Sequence, residues 1–209
     1  MPVSHGFQYE LGLFVQALPS VWKVLGVAKL ADSAWATARR VIVEQTDGKQ
    51  ESYFVKVSFG YDGREALKGE YESITAIHAI SPGLCPQPIT WGTFQNDDSA
   101  HFYVCKFYDF DLDALPPREL FCKKLVLLHS RHTSPEGKFG FHCVTYDGNI
   151  PQDNTWCDSG EIFFSRGLRH VLNVREERAG PDPELNALIP GIFDKVIPRL
   201  LWPLELLGS

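Results

Sequence analysis

No stretch of the 209-residue sequence reaches the roughly 20 apolar residues that a helix needs to cross a bilayer. The N-terminus also lacks the basic segment followed by an apolar segment that marks a secretory signal. Positive charge is scarce, because the formal net charge is −6, so no overall basic field attracts nucleic acid. We therefore expect a cytoplasmic protein that has neither a membrane nor nucleic acid among its partners.

The five cysteines form no Cys-x-x-Cys pair, their number is odd and their spacing is wide. This pattern argues against structural zinc and against a disulfide framework. We predict reduced cysteines in or near the core. A P-loop is excluded too, because the sequence contains no Gly-x-x-x-x-Gly-Lys-Ser/Thr motif. The cysteines are Cys85, Cys105, Cys122, Cys143 and Cys157.

The first half of the chain has the pattern of a sheet with one helix laid on it. β-branched residues before the Asp47-Gly48 turn signal, and apolar residues after it, predict a β-hairpin. Apolar residues at three-to-four spacing predict the helix. The predicted strands cover residues 39–46, 52–59, 89–94 and 101–107, and the predicted helix covers residues 64–80. A short helix over residues 14–25 and loops over residues 26–35, 60–63 and 95–100 complete this half.

The second half is predicted to be mostly helical, with Pro190 and Pro198 bending its last helix. A long irregular segment covers residues 133–160, and a loop of this length in a compact domain usually has a function. The sequence thus predicts an α+β protein with two domains, residues 1–107 and residues 108–209. The predicted helices of the second half cover residues 118–131, 161–177 and 185–201.

Lys56 is the first functional candidate, because it lies in the middle of an apolar predicted strand. Burying an unpaired cation is costly, so this lysine is either solvated at a sheet edge or paired with an acid. Glu70 lies on the border of the apolar face of the following helix, from where it can reach the sheet. A strand lysine paired with a helix glutamate is the arrangement that holds ATP phosphates in kinase-like folds.

Three further segments are candidates for binding. The backbone N–H groups of residues 26–35 could cover phosphates, although glycine is sparse there. Residues 104–108 lie where the sheet passes into the helical half, so their backbone is either an adenine-binding crossover or an ordinary connector. Residues 137–156 gather hydrogen-bonding side chains and an aromatic platform, a combination that suits a polyhydroxy ligand. Their polar and aromatic side chains are His142, Thr145, Asn149, Gln152, Asn154 and Trp156.

Several motifs carry a family resemblance. They are Tyr-Phe-Val-Lys-Val around Lys56, Lys-Gly-Glu-Tyr-Glu-Ser around Glu70, Pro86-Gln-Pro-Ile-Thr-Trp-Gly92, Leu128-His129, Phe139-Gly-Phe-His142 and Pro151-Gln-Asp-Asn-Thr-Trp156. Together they resemble the fructosamine/ketosamine-3-kinase family, most closely its fungal branch of protein-ribulosamine 3-kinases. The resemblance runs from about residue 28 to residue 205, and the last two motifs are quite specific.

This resemblance implies a protein-kinase-like two-lobe fold related to aminoglycoside and choline kinases. An antiparallel sheet with one helix forms the N-lobe of that fold, and helices form its C-lobe. The resemblance also implies phosphate transfer from Mg-ATP to the 3-hydroxyl of a ribulosamine or fructosamine, on a glycated protein lysine or a small ketosamine. The phosphate ester then decomposes and leaves the free amine, so the reaction repairs glycated protein.

The resemblance further implies roles for individual residues. Lys56 grips the ATP phosphates and Glu70 orients Lys56. The residues that cover the phosphates are Asp32, Ser33, Ala34 and Trp35. The residues whose backbone holds adenine are Lys106, Phe107 and Tyr108. The residues that line the approach to the sugar are His142, Thr145, Asn154 and Trp156.

The sequence departs from the family at the catalytic step. Phosphoryl transfer needs a carboxylate for the acceptor hydroxyl and oxygen ligands for magnesium. The family carries the carboxylate in a His-Gly-Asp-Leu-Trp motif, and none of the seven histidines here precedes Gly-Asp. We therefore expect the catalytic aspartate and the magnesium ligands to lie beyond residue 209, and the helical lobe to be incomplete.

Two functional hypotheses follow. In the first, the full-length gene product is a ketosamine-3-kinase, and the 209-residue chain alone has little or no turnover. In the second, the chain is a truncated, non-catalytic pseudokinase that binds nucleotide or a glycated ligand. An aminoglycoside-type kinase is a weaker third option, because the Phe-Gly-Phe-His and Pro-Gln-x-Asn-x-Trp motifs argue against it.

Overall fold

The computed structural model describes residues 21–111, 113–131 and 134–206. The chain divides into two compact units, Met1–His132 and Thr133–Ser209. The helix predicted over residues 118–131 therefore groups with the sheet, while the functional division after residue 107 stays a prediction. No helix within the described ranges combines the length and the apolar character that a membrane span requires.

The first unit is built on a five-stranded antiparallel sheet in the order β1-β2-β3-β5-β4. The strands are β1 (Val21–Asp32), β2 (Thr37–Gln45), β3 (Gln50–Phe59), β4 (Pro88–Phe94) and β5 (Asp97–Lys106). The helices of this unit are α1 (Gly60–Ile80) and α2 (Arg118–Arg131). An antiparallel sheet combined with helices confirms the predicted α+β class.

The two faces of the sheet have different surroundings. Val55 and Val57 of β3 belong to a cluster of buried valine and aromatic side chains on one face. Phe54 alternates with them onto the other face, where it packs with Leu67 of α1. The alternation places Lys56 on the side of the sheet that carries the helix.

The structure corrects the N-terminal prediction. Residues 21–32 form β1, where the end of a helix and a loop were predicted. Residues 14–20 of that predicted helix lie outside the described residues. The register of β1 against β2 shifts at three places, so its apolar side chains do not keep the strict alternation of a regular strand. This irregularity concealed the strand.

Helix α1 begins at Gly60 rather than at Arg64, so the predicted loop over residues 60–63 is wrong. Gly60 has a φ of +73°, a conformation that favours glycine. Gly63 lies in the first turn, where a Cβ atom would come within 2.5 Å of Ser58 Oγ. Gly60 and Gly63 thus serve a close strand-to-helix junction.

Strand β5 also begins earlier than predicted. It starts at Asp97, so only Gln95 and Asn96 separate it from β4, and the loop expected over residues 95–100 is a tight turn. The carboxylate of Asp97 accepts a 2.9 Å hydrogen bond from the N–H of Ser99. This local bond fixes the start of the strand.

The second unit contains the irregular segment that the sequence predicted, followed by helices. Strands β6 (Tyr146–Asp147) and β7 (Ile150–Pro151) form a short hairpin within that segment. The helices are α3 (Gly160–Ala179), α4 (Pro183–Gly191) and α5 (Ile197–Leu206), with a π-helical turn at Ile192–Val196. Helix α3 packs against α5, and Ile197 is buried.

The helix predicted over residues 185–201 is a succession of helices. Asp182 caps α4 by accepting a 3.1 Å hydrogen bond from the N–H of Leu185. Pro198 has no N–H to donate, and immediately before it the Ile197 N–H donates to the Ile192 carbonyl. The π-helical turn therefore lies where proline interrupts the α-helical bonding.

Candidate nucleotide-binding site

Lys56 and Glu70 form the predicted ion pair. The Lys56 ammonium lies 2.7 Å from Glu70 Oε2, and each side chain is about one-third exposed, at 33% and 34%. The edge-lysine alternative is wrong, because β3 lies between β2 and β5. A pair this exposed contributes only about 0–1 kcal/mol to stability. Its chief effect is therefore to hold the ammonium in place beside the sheet.

A cleft of about 320 Å³ lies beside this pair. Glu70 belongs to its wall, so the Lys56 ammonium is close to its edge. Most of the wall is apolar or aromatic, which suits a flat base more than a free anion. The lining residues are Leu30, Phe54, Glu70, Ile74, Pro86, Tyr103, Cys105, Lys106, Phe107, Tyr108 and Phe110.

Most of this wall was not predicted from the sequence. Glu70, Lys106, Phe107 and Tyr108 were named in advance, and the cleft brings all four to one place. Phe54 could have been found, because strand alternation puts it on the same face as Lys56. Leu30 could not, since it belongs to the strand that the sequence pattern concealed.

The crossover segment after β5 is held to its neighbours by backbone bonds. The Lys106 N–H donates to the Gln87 carbonyl at 2.9 Å, and the Phe107 N–H donates to the Ser52 carbonyl at 3.0 Å. The next donor along the chain is the N–H of Tyr108, which also lines the cleft. The segment thus has a fixed course past the cleft, as an adenine-binding backbone requires.

The turn between β1 and β2 contains the residues predicted to cover phosphates. Ser33 Oγ accepts hydrogen bonds from the N–H groups of Trp35, at 3.2 Å, and Ala36, at 3.0 Å. A phosphate would have to replace Ser33 Oγ as the acceptor of these two donors. The role of Asp32, Ser33, Ala34 and Trp35 therefore stays a prediction.

Asp32 has a local function at this turn. Its carboxylate lies 2.5 Å from Lys29 Nζ and 2.7 Å from Arg39. Hydrogen bonds from Lys29 and then from Arg39 hold the pKa of Asp32 below its usual range. The carboxylate is therefore ionised at neutral pH, and its charge is matched by two cations before any ligand binds.

Ser58 ties this turn to the strand of Lys56. Its hydroxyl donates a 2.6 Å hydrogen bond to the Trp35 carbonyl. Ser58 is buried and alternates onto the same face of β3 as Lys56. Gly63 leaves room for it at the start of α1. Ser58 thus connects the predicted phosphate turn to the strand, and to the strand face, that carry Lys56.

Burial keeps the inner wall of the cleft uncharged. It raises the pKa of the Tyr103 hydroxyl, and it raises the pKa of the Cys105 thiol to about 11. Both groups are therefore neutral at physiological pH. All five cysteines are free thiols in this structure, and Cys122 is exposed rather than in or near the core as predicted.

The polar loop in the second unit is organised by its own side chains. Asn154 donates to Thr145 Oγ1 at 2.9 Å and to the Cys143 carbonyl at 3.0 Å. Phe139 and Cys157 exchange two backbone hydrogen bonds, each 2.8 Å long. Gly140 lies against Trp156 with a φ of +150°, and an added Cβ would come within 2.9 Å of Trp156 Cα. The two specific motifs therefore pair with each other.

The predicted sugar residues have different surroundings in this loop. Thr145 and Asn154 are bonded to each other. Trp156 packs against Gly140, and the exposed ring of His142 lies 4.4 Å from the ring of Phe141. The structure thus shows these residues shaping the loop, while their contact with a sugar stays a prediction.

The described residues contain no group of three or more histidine, cysteine, aspartate or glutamate side chains that could hold a metal ion. No described residue is therefore assigned as a magnesium ligand, and no step of the chemistry below is assigned to that ion. ATP has candidate contacts, since the cleft offers an apolar wall for the base and the Lys56 ammonium for a phosphate.

Comparison with known proteins supplies independent information. The family model for fructosamine kinase matches residues 36–200 of this chain. That span covers most of the sheet, both helices of the first unit and nearly all of the second. No curated protein matches the chain significantly.

Two solved structures share this fold. A protein described as a candidate fructosamine-3-kinase from Haemophilus somnus 129PT has a TM-score of 0.69 and 18% identity, over 90% of this chain and 62% of its own. Another candidate fructosamine-3-kinase, from Thermobifida fusca YX-ER1, has a TM-score of 0.65 and 22% identity, over 87% of this chain and 59% of its own. The chain thus spans about 60% of the length of these structures.

Proposed function

The chain belongs to the fructosamine kinase family, and from this membership we propose that it binds ATP for phosphate transfer to the 3-hydroxyl of a ketosamine. The proposal includes a kinase-like two-lobe fold and a ribulosamine or fructosamine substrate, on a glycated protein lysine or a small ketosamine. It also includes the repair of glycated protein in the cytoplasm. The observation that carries the proposal is the Lys56–Glu70 pair at the wall of an apolar cleft.

In this proposal, Lys56 binds a phosphate oxygen of ATP. Its ammonium is held 2.7 Å from Glu70 Oε2, which limits the positions it can adopt. Since the pair is only partly buried, the ammonium keeps donors for a second partner. Glu70 thus acts as the residue that orients Lys56, and a phosphate shares the lysine with it.

The base of ATP lies against the apolar wall in the same proposal. Phe54, Tyr103 and Cys105 supply neutral surface, and the backbone at Tyr108 supplies polar recognition. The neutral state of Tyr103 and Cys105 avoids a negative charge beside the nucleotide. The residues proposed to line the approach to the sugar are His142, Thr145, Asn154 and Trp156.

The proton of the acceptor hydroxyl is not assigned to any residue of this chain. Phosphoryl transfer uses a carboxylate for that proton and a divalent metal for the phosphates. The 209 residues contain no His-Gly-Asp sequence, and the described residues contain no metal-binding cluster. The chain's own contribution to the reaction is therefore to bind ATP and the sugar.

Titration calorimetry with ATP tests the nucleotide part of the proposal. We expect the chain to bind ATP, and we expect the Lys56→Met variant to bind it about tenfold more weakly, because it loses one charge-assisted contact. Lys49→Met is the matched control, since Lys49 pairs with Asp47 in an exposed turn. Equal ATP affinity for the wild type and Lys56→Met would contradict the assigned role.

Phosphate transfer is tested with the natural gene product that carries this chain. Ribulosyl-lysine and fructosyl-lysine are incubated with Mg-ATP, and the sugar 3-phosphate is followed by ³¹P NMR. We expect an ester on at least one of the two substrates. Failure with both, under conditions where ATP binds, would remove the ketosamine substrate from the proposal.

The absent His-Gly-Asp sequence favours a second candidate function, a non-catalytic module that binds nucleotide or a glycated ligand. Thermal stability with and without magnesium separates the two candidates. A module is stabilised by ATP alone and produces no ester. A kinase needs the metal for transfer and releases the phosphorylated sugar.

A further inference from the structure

Arg40 of β2 contacts the crossover segment beside the cleft. Its guanidinium carbon lies 4.5 Å from the centroid of the Phe107 ring, a distance typical of a cation–π contact. Arg40 Nε also donates a 3.2 Å hydrogen bond to Ser52 Oγ. The backbone carbonyl of the same Ser52 accepts the N–H of Phe107 at 3.0 Å. Arg40 therefore holds both partners of the backbone bond that fixes Phe107.

A second set of contacts holds the neighbouring residue. Lys106 Nζ lies 3.4 Å from Glu51 Oε1, and the other oxygen of Glu51 accepts a 2.8 Å hydrogen bond from the Tyr53 hydroxyl. Glu51 and Ser52 are consecutive residues of β3, so this strand fixes Lys106 and Phe107 side by side. The contact with Lys106 is long and partly exposed, so it is the weaker of the two.

From these contacts we infer that Arg40 is a positioning residue for the nucleotide base, acting through Phe107 and Ser52. This inference rests on the proposed ATP function. Phe107 lines the cleft, and Tyr108, the next residue along the chain, lines it too. Arg40 fixes the wall that faces the base, whereas Lys56 binds the phosphates from another strand. Loss of Arg40 weakens base recognition and leaves phosphate binding unchanged.

The planar guanidinium suits this position better than an ammonium. Its face can lie over the ring while its Nε–H donates along its edge. Lysine in place of Arg40 keeps the charge over Phe107 but loses the Nε donor. Glutamine at this position loses the cation altogether. The series arginine, lysine, glutamine therefore reduces the contact stepwise.

The test compares ATP with inorganic tripolyphosphate, which carries the phosphates without the base. Binding of each is measured by calorimetry for the wild type, Arg40→Lys and Arg40→Gln. We expect ATP binding to weaken about threefold for Arg40→Lys and about tenfold for Arg40→Gln. Tripolyphosphate binding is expected to be the same in all three proteins.

Arg64→Gln is the matched control. Arg64 also lies over an aromatic ring of the first unit, with its guanidinium carbon 5.6 Å from the Trp91 centroid, and neither residue lines the cleft. This variant is expected to bind ATP as the wild type does. If Arg40→Gln does not fold, Arg40→Met keeps the aliphatic stem without the cation and is expected to show the same loss.

The outcomes separate this inference from the proposed function. A wild-type chain that binds neither ATP nor tripolyphosphate defeats the proposed function. A wild type that binds ATP, with unchanged binding by Arg40→Gln or Arg40→Met, overturns the role of Arg40. Equal weakening of ATP and tripolyphosphate by these variants also overturns it, because the change is then a general disturbance of the unit.

Discussion

The two compact units differ in what holds them together. The first unit buries apolar side chains on both faces of its sheet. In the second, Ile197 is the one deeply buried apolar residue among those described. Its loop depends on polar contacts instead, such as those of Asn154 with Thr145 and Cys143. A segment rich in polar side chains can therefore stabilise its own local structure as well as bind a ligand.

The polar residues of the first unit behave in the opposite way. Lys56 and Glu70 are partly exposed beside a cleft, and their mutual contact adds little stability. The sheet already has its own apolar core, so this pair is not needed to hold the unit together. The comparison predicts that core variants have the largest effects on stability in the first unit, whereas polar variants have the largest effects in the second.

The largest expected effect is on the apolar core of the first unit. Leu67 is 1% exposed and packs with Tyr103 and Cys105. Leu67→Ala is expected to lower the free energy of unfolding by about 3 kcal/mol, because it removes buried methyl groups and leaves a cavity. Leu120→Ala is the control, since Leu120 is 51% exposed in the same unit.

Urea denaturation followed by circular dichroism measures the change, and hydrogen exchange of the β5 amides assigns it to the first unit. Similar losses for Leu67→Ala and Leu120→Ala would mean that the sheet does not depend on this core. The contrast between the two units would then be wrong.

The second effect concerns the polar loop. Asn154→Ala removes two hydrogen bonds, to Thr145 Oγ1 and to the Cys143 carbonyl. The loss is expected to destabilise the loop by about 2 kcal/mol, since each such bond contributes about 1 kcal/mol. ATP affinity is expected to stay unchanged, because Asn154 does not line the cleft beside Lys56 and Glu70.

Limited proteolysis across residues 134–157 measures the loosening. Thr145→Val and the double variant complete a double-mutant cycle that isolates the Asn154–Thr145 bond. Additive effects would show that the two side chains do not cooperate. The abundance of polar side chains in this loop would then be evidence for ligand binding only, and not for a role in holding the loop together.

The sequence predicted the parts of the first unit that follow simple periodicity. Residues of β3 alternate strictly, so the position of Lys56 and its distance from Glu70 along the chain were enough to predict their contact. The β1 strand was missed because its register shifts three times. Without β1, neither the tight turn after Asp32 nor the contribution of Leu30 to the cleft could be foreseen.

Long-range contacts were the other limit. The cation–π contact of Arg40 with Phe107 joins residues far apart in the sequence, and neither residue's neighbours hint at it. The polar loop shows the reverse case, because its composition suggested sugar binding, yet Asn154 and Thr145 are bonded to each other. Composition identifies side chains that need partners, and the fold decides which partners they have.

A third prediction concerns Ser58, which ties the β1–β2 turn to β3. Ser58→Ala removes the 2.6 Å hydrogen bond to the Trp35 carbonyl and is expected to cost about 1 kcal/mol of stability. ATP binding is expected to weaken a few-fold if the turn covers the phosphates. Ser73→Ala is the control, because Ser73 Oγ donates to the Gly69 carbonyl within α1. Equal ATP affinities for Ser58→Ala and Ser73→Ala would show that the β1–β2 turn does not contribute to nucleotide binding.

The smallest expected effect is the pH dependence that His101 gives to the first unit. His101 is 3% exposed, and its Nδ1 lies 2.8 Å from Thr93 Oγ1. Burial, and next the charge of Arg64, lower the pKa of His101 below 6.5, although Asp97 and Glu65 oppose the shift. The unfolded chain therefore binds a proton at a higher pH than the folded chain does.

The sign of the effect follows from proton linkage. Below the ordinary pKa of 6.5, the unfolded state holds more protons than the folded state. The free energy of unfolding therefore falls as pH drops from 6.5 towards the lowered pKa, and the contribution is complete above 6.5. His101→Gln keeps a polar partner for Thr93 without this titration. As the pH is lowered from about 7.5 to about 5, the urea midpoint is expected to fall more steeply for the wild type than for His101→Gln. Parallel curves would show that His101 protonates equally well in both states, and that the core of the first unit tolerates the charge.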